Sequence, residues 1–215
     1  MMEDIRVVTD DNRDSNADSV IQSCFDLKNP KSFFLFAGAG SGKTRSLVSA
    51  LEYINTKMGR EFKLNGRNVA VITYTNAARD EIKRRSRYNP LFEISTIHSF
   101  AWNLICSHTC DIREWLKQEI GVKIADAETK LATSSKTTKT YKDAEKKLTK
   151  LTQRLEYLDS VKHFIYNPDG LNVENNSLDH SEVIKITAEF LSQKETLQKI
   201  LVDKYPILLI DESQD

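Results

Sequence analysis

Three absences set limits on this chain before any motif is considered. It has no apolar run of membrane-spanning length and no signal peptide, which predicts a soluble, cytoplasmic protein with no membrane partner. It has no net charge, because 31 lysines and arginines balance 31 aspartates and glutamates. Charge therefore argues neither for nor against a nucleic-acid partner, and any such surface must be a local patch. It has only three cysteines, an odd number in a lysine-rich chain, which fits a reducing compartment rather than a disulfide framework. Cys106 and Cys110 do flank His108, one helical turn apart. With His98, His163 and His180 scattered elsewhere, no four-ligand metal set forms, and both cysteines read as ordinary half-buried helix residues. The 215 residues suffice for one α/β domain with an insertion and a sizeable core.

What is present is concentrated in a few segments. Phe33-Phe34-Leu35-Phe36 reads as a strand running into Ala37-Gly38-Ala39-Gly40-Ser41-Gly42-Lys43-Thr44. A loop that grips phosphates turns its backbone N–H groups inward, and only small residues let the chain come that close. Ala37 to Gly42 contains nothing larger than serine. Lys43 can reach the β- and γ-phosphates as a point charge, and the Thr44 hydroxyl can ligate Mg²⁺. Arg45 to Ile54 reads as a helix whose positive N-terminal end faces the phosphates, and Arg45 itself joins the nucleotide-binding set. One departure stands out, since Ala37 occupies the first glycine of the usual G-x-x-x-x-G-K-[ST] pattern.

The far end of the chain carries the matching half. Ile207 to Ile210 is an uninterrupted apolar run, expected of a parallel strand buried on both faces. Asp211 and Glu212 emerge at its carboxyl end, where open α/β sheets bind ligands. Asp211 is the candidate to hold Mg²⁺ beside Thr44. Glu212 is placed to orient and deprotonate a water attacking the γ-phosphate of ATP. Lys43, Asp211 and Glu212 are thus the candidate catalytic residues.

Between these halves, Val69 to Tyr74 reads as a second buried strand, and Asn76 to Arg87 as a strongly basic helix. Ile94 to Phe100 reads as a short strand turning into another helix. Repeated strand, loop and helix units predict a doubly wound α/β architecture.

AGAGSGKT, TYTNAARDEI, STIHSF and LLIDESQD occur in that order and resemble motifs I, Ia, Ib and II of the UvrD/Rep family of superfamily 1 helicases. The resemblance implies a RecA-like P-loop NTPase sheet, ATP and Mg²⁺ as cofactors, and movement 3′ to 5′ on single-stranded DNA. It also implies that Gln22 reads adenine, although Ser19-Val20-Ile21 is not the family's usual lead-in. Tyr74, Thr75, Asn76, Thr96, His98 and Ser99 become the candidate DNA contacts. An aromatic ring that stacks on a base, with short polar groups for the backbone, is how single strands are held without sequence preference.

Residues 111–176 are expected to form a helical insertion between two parts of the lobe, 1–110 and 177–215. Ala144, Leu148, Leu151, Leu155, Leu158 and Val161 fall on one apolar stripe that wants a partner helix. Asn167-Pro168-Asp169-Gly170 reads as a turn, and Asp179 with Glu182 as a capping pair that restarts a helix through Ile184, Ile186 and Phe190. In this family ATP binds between two lobes, and arginines of the second lobe complete the site. A chain ending just after motif II is therefore expected to bind rather than unwind by itself. The alternative is a non-catalytic nucleotide- or DNA-binding module acting with a partner nuclease or a separately encoded second helicase lobe.

Overall fold

A computed structural model describes residues 14–35, 42–133, 136 and 138–211 of the chain. Ala37 to Ser41 of the phosphate loop and Glu212 lie outside these described residues. The chain divides into two compact units, residues 1–97 with 194–215, and residues 98–193. The second takes in 98–110 and 177–193 as well as the helical stretch 111–176 read from the sequence.

The first unit is α/β. Helix α1 (Asp14–Ser23) precedes α2 (Lys43–Leu64), which leads to strand β1 (Val69–Thr73). Helix α3 (Asn76–Arg85) and strand β2 (Phe92–Thr96) follow, and α8 (Glu195–Lys204) and β3 (Ile207–Ile210) return from the far end of the chain. The strands form one parallel sheet in the order β2-β1-β3. β1 is central because it can be buried on both faces, and every one of its residues is. Its β-branched Val69, Val71, Ile72 and Thr73 also suit a pleated backbone. Val69 and Val71, with Phe92, Ile94, Ile207 and Leu209, form one sheet face, against which Leu51, Ile54 and Phe62 of α2 and Ile21 of α1 pack. At the other end of β2, Glu93 accepts a hydrogen bond from the Tyr205 hydroxyl and faces the Lys204 ammonium at 3.5 Å, tying the returning segment to the sheet.

Two expectations for this unit need correction. Residues 31–35 join no strand ladder; Phe33 instead sets its ring edge-on to Phe25, 6.0 Å between centroids. Phe33 and Phe34 stay 37% and 47% exposed, so the burial expected of a strand does not occur for them. The run Ile207–Ile210 is not buried on both faces either. Ile207 and Leu209 enter the core, while Leu208 and Ile210 remain 47% and 53% exposed. β3 has β1 on one side only among the described residues, and its second face lines a cleft.

The second unit is helical. It contains α4 (Ile97–Ile105, all but its first residue), α5 (Thr109–Thr133), α6 (Lys139–Leu158) and α7 (His180–Gln193). The apolar stripe of α6 packs along α5, with Ala144 and Leu158 buried and Leu148, Leu151 and Leu155 half-buried. Val161, expected on the same helix, lies beyond its end at Leu158 but is buried nonetheless. Arg113 of α5 donates to the carbonyls of Leu158 and Val161, and Lys117 reaches Asp159 at 2.7 Å. These cations meet the C-terminal end of α6, where the helix dipole favours positive charge. The Asn167–Gly170 turn forms as expected, with Asp169 N–H donating to the Asn167 side chain at 3.0 Å. The capping pair forms in both directions, Glu182 N–H to Asp179 Oδ1 at 2.8 Å and Asp179 N–H to Glu182 Oε2 at 3.1 Å. The helix that this pair starts stops at Gln193, and α8 begins afresh after Lys194, whose backbone is extended.

Candidate functional site

Because the three strands are parallel, their carboxyl ends lie at one edge of the sheet. The register sets Thr73 beside Thr96 and Ile72 beside Ile210, and Asp211 N–H donates to the Ile72 carbonyl at 2.8 Å. Tyr74, Thr96 and Asp211 therefore leave the sheet on the same side, the side on which open α/β sheets bind ligands.

Helix α2 starts at Lys43. Gly42 before it is left-handed, with φ 87°, a conformation that costs a glycine little and a side-chain-bearing residue much. Gly42 has no side chain to cap this helix end, and the first turn holds no acidic residue. The N-cap position thus covers none of the first N–H groups with a side chain, and the first turn adds no negative charge to the positive end of the macrodipole. Both conditions suit an anion. Lys43 and Thr44 are half-buried here, while Arg45 is exposed.

Lys43 and Asp211 line the same cleft of about 910 Å³, together with Ser46, Leu47, Leu208 and Ile210. The sequence separates these two residues widely, and the fold returns them to one cleft. A lysine, a threonine hydroxyl and an aspartate around a helix N-terminus are a donor set that fits a polyphosphate with a hard divalent cation. Gln22 is half-buried on α1, which is held to α2 through Ser49 Oγ donating to Asp18 Oδ2 at 3.1 Å. Arg45 instead lines a neighbouring hollow with Asp18, Ser49, Glu52 and Arg85.

The candidate DNA contacts divide between the two units. Tyr74 is 54% exposed at the carboxyl end of β1. Thr75 caps α3, its Oγ1 accepting from Ala78 N–H at 3.2 Å, and Asn76 Oδ1 accepts from Arg79 at 2.9 Å. Thr96 ends β2 with its side chain buried. His98 and Ser99 belong to the helical unit, both half-buried on α4. Burial first, and then the neighbouring His180, hold His98 below the ordinary imidazole range. His180 and Tyr166 were not singled out from the sequence. They lie far from His98 along the chain, and no spacing rule links them.

The depressed His98 has a measurable consequence. In the unfolded chain it takes up a proton near the ordinary imidazole value of 6.5, which the folded protein accepts only at lower pH. The unfolded state thus binds more protons just below that value, so lowering the pH through it removes stability from the helical unit. Both tryptophans of the chain, Trp102 and Trp115, lie in this unit and report on it. Urea midpoints followed by their emission should fall between pH 7 and pH 5.5 by less in His98→Asn than in the unaltered chain. Equal falls in the two proteins would remove His98 as the source.

Comparison with known proteins gives two findings. The sequence-family profile described as "UvrD/REP helicase N-terminal domain" matches residues 23–215. The chain is also 24% identical over 241 aligned positions to the Gabija protein GajB of Bacillus cereus (strain HuB5-5). That alignment covers 83% of this chain and 35% of the relative, so the chain spans about a third of the protein it matches.

Proposed function

The chain belongs to the UvrD/REP helicase family, and we propose that it acts as the ATP-binding and single-stranded-DNA-binding lobe of an ATP-dependent helicase or translocase moving 3′ to 5′. One observation carries this reading: Lys43 at the start of α2 and Asp211 at the end of β3 line one cleft. Neither residue alone separates a nucleotide site from a surface charge, and their convergence favours the former.

In this proposal Lys43 holds the β- and γ-phosphates, and the backbone of Ala37, Gly38, Ala39, Gly40, Ser41 and Gly42 cradles them. Thr44 and Asp211 hold Mg²⁺, which, when bound, neutralises charge developing on the phosphates. Glu212 accepts the proton of the attacking water, and Gln22 and Arg45 serve the nucleoside end. Residues 98–193 act as an accessory unit. Among the described residues no helix is long and apolar enough to cross a membrane.

For the strand, exposure ranks the candidates. Thr75 and Asn76 already use their side-chain oxygens locally, and Thr96 is buried. Tyr74 presents its ring at the sheet edge, so stacking on an unpaired base falls first to Tyr74. Tyr74→Ala is expected to weaken binding of a labelled oligothymidylate about tenfold, within the range for one lost base stack. Nucleotide affinity should stay the same. Anisotropy titration reads the first and a fluorescent-nucleotide titration the second; an unchanged oligonucleotide affinity would remove Tyr74 from the interface.

A further inference from the structure

Between α3 and β2 the chain passes through two successive left-handed residues, Arg87 at φ 56° and Tyr88 at φ 50°. Neither is glycine, and this backbone region crowds a Cβ against the following carbonyl. Hydrogen bonds hold the turn there. Ser86 N–H donates to the Ile82 carbonyl at 2.8 Å, Arg87 N–H to Arg84 at 3.1 Å and Tyr88 N–H to Lys83 at 2.9 Å. Asn89 then fixes the exit, its side chain donating to Asn55 of α2 at 2.9 Å and accepting from Leu91 N–H at 3.1 Å. A costly backbone that its surroundings hold in place presents its side chains from a fixed base.

Those side chains are cationic and aromatic. Tyr88 is 71% exposed, and Arg84 and Arg87 are exposed beside it in sequence. Among the described residues neither arginine has a carboxylate partner, whereas Arg79 meets Asp80 at 2.8 Å and Arg85 meets Glu81 at 2.6 Å. The register pairs Phe92 with Val69, the first residues of their strands. The turn entering β2 therefore lies at the amino edge of the sheet, opposite the edge where Tyr74 and Asp211 emerge. The ten residues of α3, about 15 Å long, run between the two edges.

A guanidinium without a local partner fits a planar anion, either a carboxylate or a phosphate. Two observations favour the carboxylate. Asp80 and Glu81 stay 63% and 41% exposed on the same helix, so the surface is not the unbroken cationic track that a phosphate backbone follows. Exposed arginine and tyrosine together are also the residue types that anchor protein interfaces. Pairing this turn with itself in a second copy would set like charges together, so the facing surface is a different one.

We propose that Arg84, Arg87 and Tyr88 form a docking surface for a partner protein that presents carboxylates, on the edge of the sheet opposite the candidate nucleotide cleft. Glycine suits the left-handed backbone, so Arg87→Gly and Tyr88→Gly keep the turn and remove only what it presents. Their urea midpoints, followed by circular dichroism, should not fall; a fall in both would assign these side chains to the fold and overturn the proposal. The binding probes are a glutamate-rich peptide and an oligothymidylate of equal charge. In the unaltered chain the peptide should shift the Nε–H resonances of Arg84 and Arg87 and the ring resonances of Tyr88, and leave those of the paired Arg85 in place. Arg87→Gly should weaken peptide binding about tenfold, as for one lost interface anchor. If the peptide leaves the three residues' signals still, or binds Arg87→Gly as tightly, the docking surface is overturned. If the oligothymidylate shifts the same signals as strongly, phosphate is the ligand and the protein partner is overturned. Sedimentation of the chain alone should show no association that Arg87→Gly abolishes; such association would make a second copy the occupant instead.

Discussion

Lys43→Ala is expected to lower affinity for a magnesium-bound nucleotide on the order of 100-fold, or about 2.8 kcal/mol. The lysine sits at the first position of α2, where the dipole already favours an anion and the first turn adds no acidic side chain. Its ammonium adds a point charge in a partly buried wall, where charge-assisted hydrogen bonds are roughly twice as strong as neutral ones. Removing it leaves the helix end intact, so the residual binding measures what the backbone contributes alone. Lys63→Ala, an exposed change at the other end of the same helix, alters net charge equally and should bind as the parent does. A fluorescent-nucleotide titration of the three proteins separates the cases. If Lys43→Ala and Lys63→Ala bind alike, the phosphate-loop assignment is wrong.

The cleft gives this prediction a second arm. Asp211 extends the β3 ladder by its own N–H bond to Ile72, which fixes where its backbone stands relative to the sheet. It lines the same cleft as Lys43, and on the roles proposed for them the two should respond differently to metal. A phosphate-holding cation matters with or without Mg²⁺, whereas a metal-holding carboxylate matters only when Mg²⁺ is present.

How much of this was readable beforehand depended on whether the signal was local. The capping pair at Asp179 and Glu182 is a three-residue pattern, and both of its hydrogen bonds form. β1 was readable because Val69 to Ile72 are all apolar, as burial on both faces requires, while the buried Thr73 spends its hydroxyl on the Thr75 carbonyl. Phe33 to Phe36 shows the limit of that rule. An apolar run does not by itself bury a segment or pair it with a strand: Phe33, edge-on to Phe25, and Phe34 stay 37% and 47% exposed. Leu208 and Ile210 fail similarly, because which face of β3 is covered depends on segments remote in the chain. The α7–α8 break at Lys194 carries neither glycine nor proline to announce it. For the candidate site, Lys43, Thr44 and Asp211 were singled out from local motifs. That Lys43 and Asp211 share a cleft, and that His98 neighbours His180, came only from tertiary structure.

Glu182→Ala should destabilise the helical unit by about 3–5 kcal/mol, the cost of leaving a buried charge without its partner. Glu182 is 3% exposed and receives both arms of the Arg154 guanidinium, at 2.7 and 2.9 Å. Arg154 also donates to the Ser177 carbonyl at 3.0 Å, so one planar group joins α6 to the segment entering α7. The same carboxylate caps Asp179 N–H, and alanine would therefore remove a cap as well as a charge partner. A cycle separates the two contributions. Glu182→Gln keeps an acceptor for the cap but loses the ion pair, and Arg154→Met loses the pair but keeps the cap. If the pair dominates, both single changes should cost several kcal/mol, and the Arg154→Met/Glu182→Gln double change clearly less than their sum. Urea unfolding followed by tryptophan emission measures all four proteins, because both tryptophans lie in this unit. Strict additivity would mean that Arg154 and Glu182 stabilise the unit separately, and that the link between α6 and α7 lies elsewhere.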